Sequence, residues 1–171
     1  YKVQGIIDPE STVGVGTVTA DIPGKGQVFG AAQTRIKNID ASFDLRTWQD
    51  NGGQIDPSII MQLQRENVTD WLLCNYDSHG GNFILTQDGK LICVDKEQSF
   101  RFIGQSGAQS MSIDFHPNSA VGEREPIYNT MYRRFANGEL DINLNDTLSY
   151  IKRIEAIPDA EYREIFRPYA E

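Results

Sequence analysis

Asp77, Asn82 and Asp95 are the residues whose types and spacing could do chemistry. Two carboxylates and an amide brought to one small volume suit phosphoryl transfer. One carboxylate faces an acceptor hydroxyl, while the amide oxygen and the other carboxylate approach the Mg²⁺ ions that bridge the phosphates of ATP. Asp77-Ser78-His79-Gly80-Gly81-Asn82 is rich in turn formers, and Asp95 follows the apolar run Leu91-Ile92-Cys93-Val94. A carboxylate placed there is costly unless it is paired, hydrogen-bonded or bound to metal. Taken singly, Asp77 reads as a turn initiator, Asn82 as a strand cap and Asp95 as a satisfied buried carboxylate. Together they indicate a metal and nucleotide site. His79 either orients Asp77 or the phosphate, or packs within the loop.

The flanking segments must position these groups. Asp56-Pro57 is a strong helix start, because Asp caps free N–H groups and Pro suits the first helical position. Ile59, Ile60, Leu63, Asn67, Trp71 and Cys74 recur at helical spacing, so a long helix is expected to end at Asn75 and deliver the chain into the polar loop. Val68, Trp71 and Leu72 are expected on one buried face. Asn82-Phe83-Ile84-Leu85 and Leu91-Ile92-Cys93-Val94 read as two buried strands joined through Asp88-Gly89. That hairpin holds Asn82 and Asp95 near one end.

Helix, Asp-x-His-x-x-Asn, hairpin and Asp together resemble the catalytic core of the protein-kinase-like superfamily. The closest likeness is to the branch of phosphatidylinositol 3-/4-kinases, actin-fragmin kinase and HipA-type bacterial kinases, in which the His lies two residues after the catalytic-loop Asp. The resemblance centres on residues 57 to 100. It implies an α+β, kinase-like fold: a mostly helical C-terminal lobe over 41–171, carrying the catalytic β-hairpin, and a reduced or missing N-terminal lobe over 1–40. It implies Asp77 and His79 as catalytic residues and Asn82 and Asp95 as ligands of Mg²⁺ and ATP. The sequence departs from the pattern at Asp95-Lys96-Glu97, which replaces Asp-Phe-Gly, and at Ser78, where the lipid-kinase branch has Arg.

The remaining segments fill in the order of parts. Tyr1 to Ile7, Val13 to Ile22 and Gln27 to Gly30 read as strands. Val18 to Asp21 and Gly26 to Gly30 are either the last N-lobe strands with the hinge or a simple hairpin. Lys2, in a strand-like context, is the candidate lysine for the nucleotide phosphates. Pro126 to Ala136, with Ile127, Met131, Tyr132 and Phe135, then Asn145 to Ile157 and Ala160 to Tyr169 read as helices whose aromatics face the core. Gln98 to Asn129 matches an activation segment, with Arg101 and Arg124 as its basic residues.

Composition narrows the partners. The chain has 171 residues, 39% hydrophobic, enough for a sizeable core, and no apolar run nears the roughly 20 residues of a membrane span. Cys74 and Cys93 lack paired spacing and sit in apolar segments, which points to reduced buried thiols and a cytoplasmic location. A net charge of -8 argues against nucleic acid and anionic membranes. With so few basic residues after Asp95, a protein or other small hydroxyl acceptor is favoured over a phosphoinositide.

No complete Gly-rich phosphate loop and no acidic helix partner for Lys2 is found, so the missing lobe belongs elsewhere in a larger protein or on a second chain, or the chain is a minimal family member. Three readings stay open: a kinase, a pseudokinase or nucleotide-binding regulatory module on the same shell, and an unrelated α+β domain with a polar turn. A phosphatidylinositol kinase is the lipid-directed form of the first.

Overall fold

A computed structural model describes residues 2–100 and 124–170. In chain order its elements are α1 (Lys2–Ile7), β1 (Val15–Ile22), β2 (Gly26–Gln33), α2 (Leu45–Asn51) and α3 (Pro57–Leu73). A 3₁₀ turn (Gly80–Asn82), β3 (Phe83–Leu85), β4 (Leu91–Cys93), α4 (Ile127–Ala136), α5 (Leu144–Glu155) and α6 (Asp159–Ala170) follow. The chain is thus mixed α+β, with two separate two-stranded antiparallel sheets. No helix among the described residues is long and apolar enough to cross a membrane.

α3 is the axis of the molecule. Asp56 caps it by accepting the Ser58 N–H at 2.8 Å, and Pro57 occupies its first turn. Its inward positions Ile59, Ile60 and Leu63 meet Leu45 and Trp48 of α2, Phe83, Leu85, Leu91 and Cys93 of the β3–β4 hairpin, and Ile127, Tyr128 and Met131 of α4. Its last buried residue, Leu73, joins a second apolar cluster with Val3 and Ile7 of α1 and Tyr150 of α5, against which Phe166 of α6 packs. Arg65 ties the same helix to α5 through a bidentate pair with Asp146, Nε to Oδ2 at 2.8 Å and the other guanidinium nitrogen to Oδ1 at 2.5 Å.

Several expectations are corrected. Residues 2–7 form α1 rather than a strand, because Val3 and Ile7, one helical turn apart, insert into the second cluster and the Gln4 amide bonds Glu66. α3 stops at Leu73, where Cys74 turns left-handed at φ 47° and its N–H returns to Asp70 and Trp71 carbonyls. Trp71 faces outward, 47% exposed, since the inward stripe runs through Leu63, Glu66, Asn67, Asp70 and Leu73. Tyr132 and Phe135 of α4 and Leu148 of α5 are likewise exposed. The short helix α2, capped by Asp44, was not expected at all. Most of the expected activation segment, residues 101–123 with Arg101, lies outside the described residues.

The β1–β2 hairpin pairs Val15 with Gln33 through Ile22 with Gly26. Every residue of both strands except Val15 is exposed, so this segment, read either as N-lobe strands with the hinge or as a simple hairpin, pairs as a hairpin outside both apolar clusters.

Candidate active site

β3 and β4 pair Phe83 with Cys93, Ile84 with Ile92 and Leu85 with Leu91. The turn between them needs Gly89 at φ 79°, where its N–H returns to the Thr86 carbonyl at 2.9 Å. At the other end the Val94 N–H donates to the Asn82 carbonyl at 2.8 Å. This extra rung sets Asn82 beside the residue preceding Asp95, as the hairpin register requires.

Asn82 is held from a second direction. Its side-chain nitrogen donates to the Asp77 carbonyl at 2.8 Å, closing the loop on itself. With the nitrogen committed, the amide oxygen is the atom left for a hard cation, and it accepts no hydrogen bond among the described residues. Asp95 completes the end of the hairpin. It is exposed and left-handed, at φ 56°. The expectation of a buried carboxylate there is therefore corrected: the left-handed residue turns the chain so that the next side chain, Lys96, enters the core in its place.

Asp77 and His79 face each other, with His79 Nε2 3.6 Å from Asp77 Oδ1. His79 Nδ1 accepts the Gly81 N–H at 3.0 Å, so in the neutral ring the proton lies on Nε2, toward Asp77. Burial lowers the His79 pKa below the ordinary 6.5; Asp77 opposes this, Arg124 and Arg46 add to it, and Asp95 opposes it more weakly. The ring is thus fixed by its Gly81 hydrogen bond with Nε2 turned toward the Asp77 carboxylate, just beyond hydrogen-bond distance. The loop in turn rests on α2, where the Gly80 N–H donates to Gln49 Oε1 at 2.6 Å. A Cβ on Gly80 would stand 2.7 Å from the Leu45 carbonyl oxygen and 2.9 Å from Arg46 Cα, so only glycine allows this approach.

Beneath the site lies a buried polar hub that sequence reasoning missed. Asp70 Oδ1 accepts from Lys96 Nζ at 2.7 Å and from the Asn75 amide at 3.0 Å. Asp70 Oδ2 accepts from the Ser78 hydroxyl at 2.5 Å and the Tyr128 hydroxyl at 2.6 Å. Lys96 also pairs with Glu66, whose carboxylate receives the Gln4 amide at 3.0 Å. Burial is the largest influence on Lys96 and works against its charge, but Asp70, Cys93 and Glu66 outweigh it and hold the ammonium well above the usual lysine range. Burial raises Glu66 above its usual range, with Lys96 countering. One signal could have exposed the hub: Glu66 and Asp70 lie four residues apart on the inward stripe of α3, and buried carboxylates need a partner.

The structure therefore gathers Asp77, His79, Asn82 and Asp95 at one end of the β3–β4 hairpin. Lys2 does not join them. It is an exposed residue on α1, and no hydrogen bond or ion pair links it to the other four. Among the described residues no three His, Cys, Asp or Glu side chains cluster to hold a metal by themselves. Asn82 and Asp95 are the two residues at this hairpin end whose side-chain oxygens could hold a hard cation. No protein-family model matches the chain, and no curated protein is significantly similar to it.

Proposed function

We propose that the chain is a phosphotransferase of the protein-kinase-like kind, moving phosphate from ATP·Mg²⁺ to a hydroxyl, of a protein rather than of a phosphoinositide. The observation that carries this reading is the double tie on Asn82: its side chain bonds the Asp77 carbonyl and its own carbonyl receives Val94 next to Asp95. Three polar residues of the required types thus share one hairpin end.

Asp77, one-third exposed and flanked by a neutral His79, orients and accepts the proton of the acceptor hydroxyl. Asn82 and Asp95 present oxygen atoms to the cation, and Asp95 spends an uncommon backbone conformation to do so. Mg²⁺ bound with ATP neutralises charge on the phosphates. Cys74 and Cys93, both free and buried, agree with a reducing, cytoplasmic setting. A covering lobe, elsewhere in the protein or on a second chain, supplies the phosphate-binding groups that Lys2 does not.

One observation favours a second reading, that of a pseudokinase or regulatory nucleotide-binding module. Lys2 stands on a helix, and Lys96 is consumed by Glu66 and Asp70, so neither lysine is placed to meet the phosphates. Thermal shift with ATP and Mg²⁺ on the wild type and Asp95→Ala tests the site. A metal-dependent shift lost in the variant supports both readings, and its absence, with a candidate lobe supplied, sinks both. Transfer of radiolabelled phosphate, abolished by Asp77→Ala, separates enzyme from pseudokinase.

A further inference from the structure

A net charge of -8 describes the whole chain, but not the surface beside His79. There a cleft of about 370 Å³ is lined by Arg46, Gln49, Asp50, His79, Arg124, Glu125 and Arg133. Three guanidiniums thus face two carboxylates. Arg133 is engaged, donating to Glu125 at 3.2 Å and to Thr130 at 3.1 Å. The guanidiniums of Arg46 and Arg124 make no hydrogen bond or ion pair with any described residue, and both residues are exposed.

Their placement follows from the fold. Gly80 lets α2 sit directly on the catalytic loop, and Gln49 fastens it there. The Arg46 side chain then passes over Gly81, its Cδ 3.7 Å from where a Cβ would stand. Arg124 comes from the segment leading into α4, two residues before its N-cap Pro126. Both guanidiniums act electrostatically on His79, and His79 faces Asp77. An anion held here is a neighbour of the group meant to receive the acceptor hydroxyl. Guanidiniums present paired N–H donors that match a carboxylate.

We propose that this cleft is an acceptor subsite for carboxylate side chains, so that the hydroxyl to be phosphorylated lies in an acidic peptide. Binding of the carboxylates rests on the cleft alone, and their place beside an acceptor hydroxyl rests on the phosphotransferase reading. The chain's net charge of -8 does not oppose this: attraction in the cleft is local, and repulsion beyond about 8 Å is screened at physiological salt.

The test uses two fluorescein-labelled serine peptides, one with Glu and one with Gln at the positions flanking Ser, titrated into the full chain at about 0.15 M salt. The expected result is at least about tenfold tighter binding of the acidic peptide, falling to near parity in Arg46→Gln/Arg124→Gln. Equal binding of both peptides, or a preference that survives in the double variant, overturns the subsite. So does competition between the acidic peptide and ATP·Mg²⁺, which would assign the cleft to the nucleotide. Phosphate transfer to the same peptides is then measured with the full chain, ATP and Mg²⁺. An acidic preference in binding with no transfer retains the subsite and counts against the kinase reading.

Discussion

Lys96 Nζ lies 2.7 Å from Asp70 Oδ1, although the two residues are 26 positions apart. The contact connects the residue after Asp95 to the helix that leads into the Asp77–Asn82 loop. The same carboxylate holds Asn75 and Ser78 on either side of Asp77. Asp70 therefore touches both halves of the site without belonging to either. Ser78 is one of its hydrogen-bond donors.

Lys96→Met leaves Glu66 and Asp70 buried without their cation. The expected cost is ~3–5 kcal/mol in urea unfolding. Adding Glu66→Gln to that variant should recover part of the loss, because one of the two uncompensated charges is removed. A loss below about 1 kcal/mol would show that the pair contributes little net coupling.

Asp95→Gly separates stability from chemistry. At φ 56° glycine avoids the strain that aspartate bears, so thermal stability should rise, by up to ~1 kcal/mol. The ATP·Mg²⁺-dependent thermal shift should vanish in the same protein. A destabilised variant would mean that the carboxylate has a structural role.

Gly80→Ala places a methyl group against the backbone of α2. A loss of ~1–3 kcal/mol is expected. Trp48, 2% exposed on α2, reports the displacement as a red shift in fluorescence when measured in a Trp71→Phe background. An unshifted spectrum with unchanged stability would contradict the tight approach.

The His79 ring has a pH signature. Burial holds its folded pKa below the ordinary 6.5. The folded state thus binds fewer protons than the unfolded state in that range, so this contribution to stability is complete above about 6.5 and is lost as pH falls through the lowered folded value. Ring carbon-proton NMR signals, assigned by their loss in His79→Gln, should titrate below 6.5. A midpoint above 6.5 would mean that Asp77 dominates over burial.

The parts that local signals specify were legible in the sequence. Asp56-Pro57 marked the start of α3, and Asp88-Gly89 marked the β3–β4 turn, so the juxtaposition of Asn82 with the Asp95 end could be derived. What depended on tertiary partners was not. β-branched Val3, Ile6 and Ile7 suggest a strand, and only docking on Leu73 and Tyr150 makes them helical. α2 is seven residues long, too short for a clear period. Lys96 looked like an interruption of a known pattern. Its burial is set by the left-handed turn at Asp95 and by two carboxylates far back in the chain.

The hub also constrains how the chain assembles during synthesis. Glu66 and Asp70 emerge from the ribosome before Lys96, and until it arrives their charges are better left in water than sealed inside. α3 can coil early, but its inner face is covered by parts made later: the β3–β4 hairpin, Lys96 and then Tyr128 of α4. Asp70 thus gains its last hydrogen bond, from Tyr128, only after the whole stretch from Asp77 to Asp95 has been made.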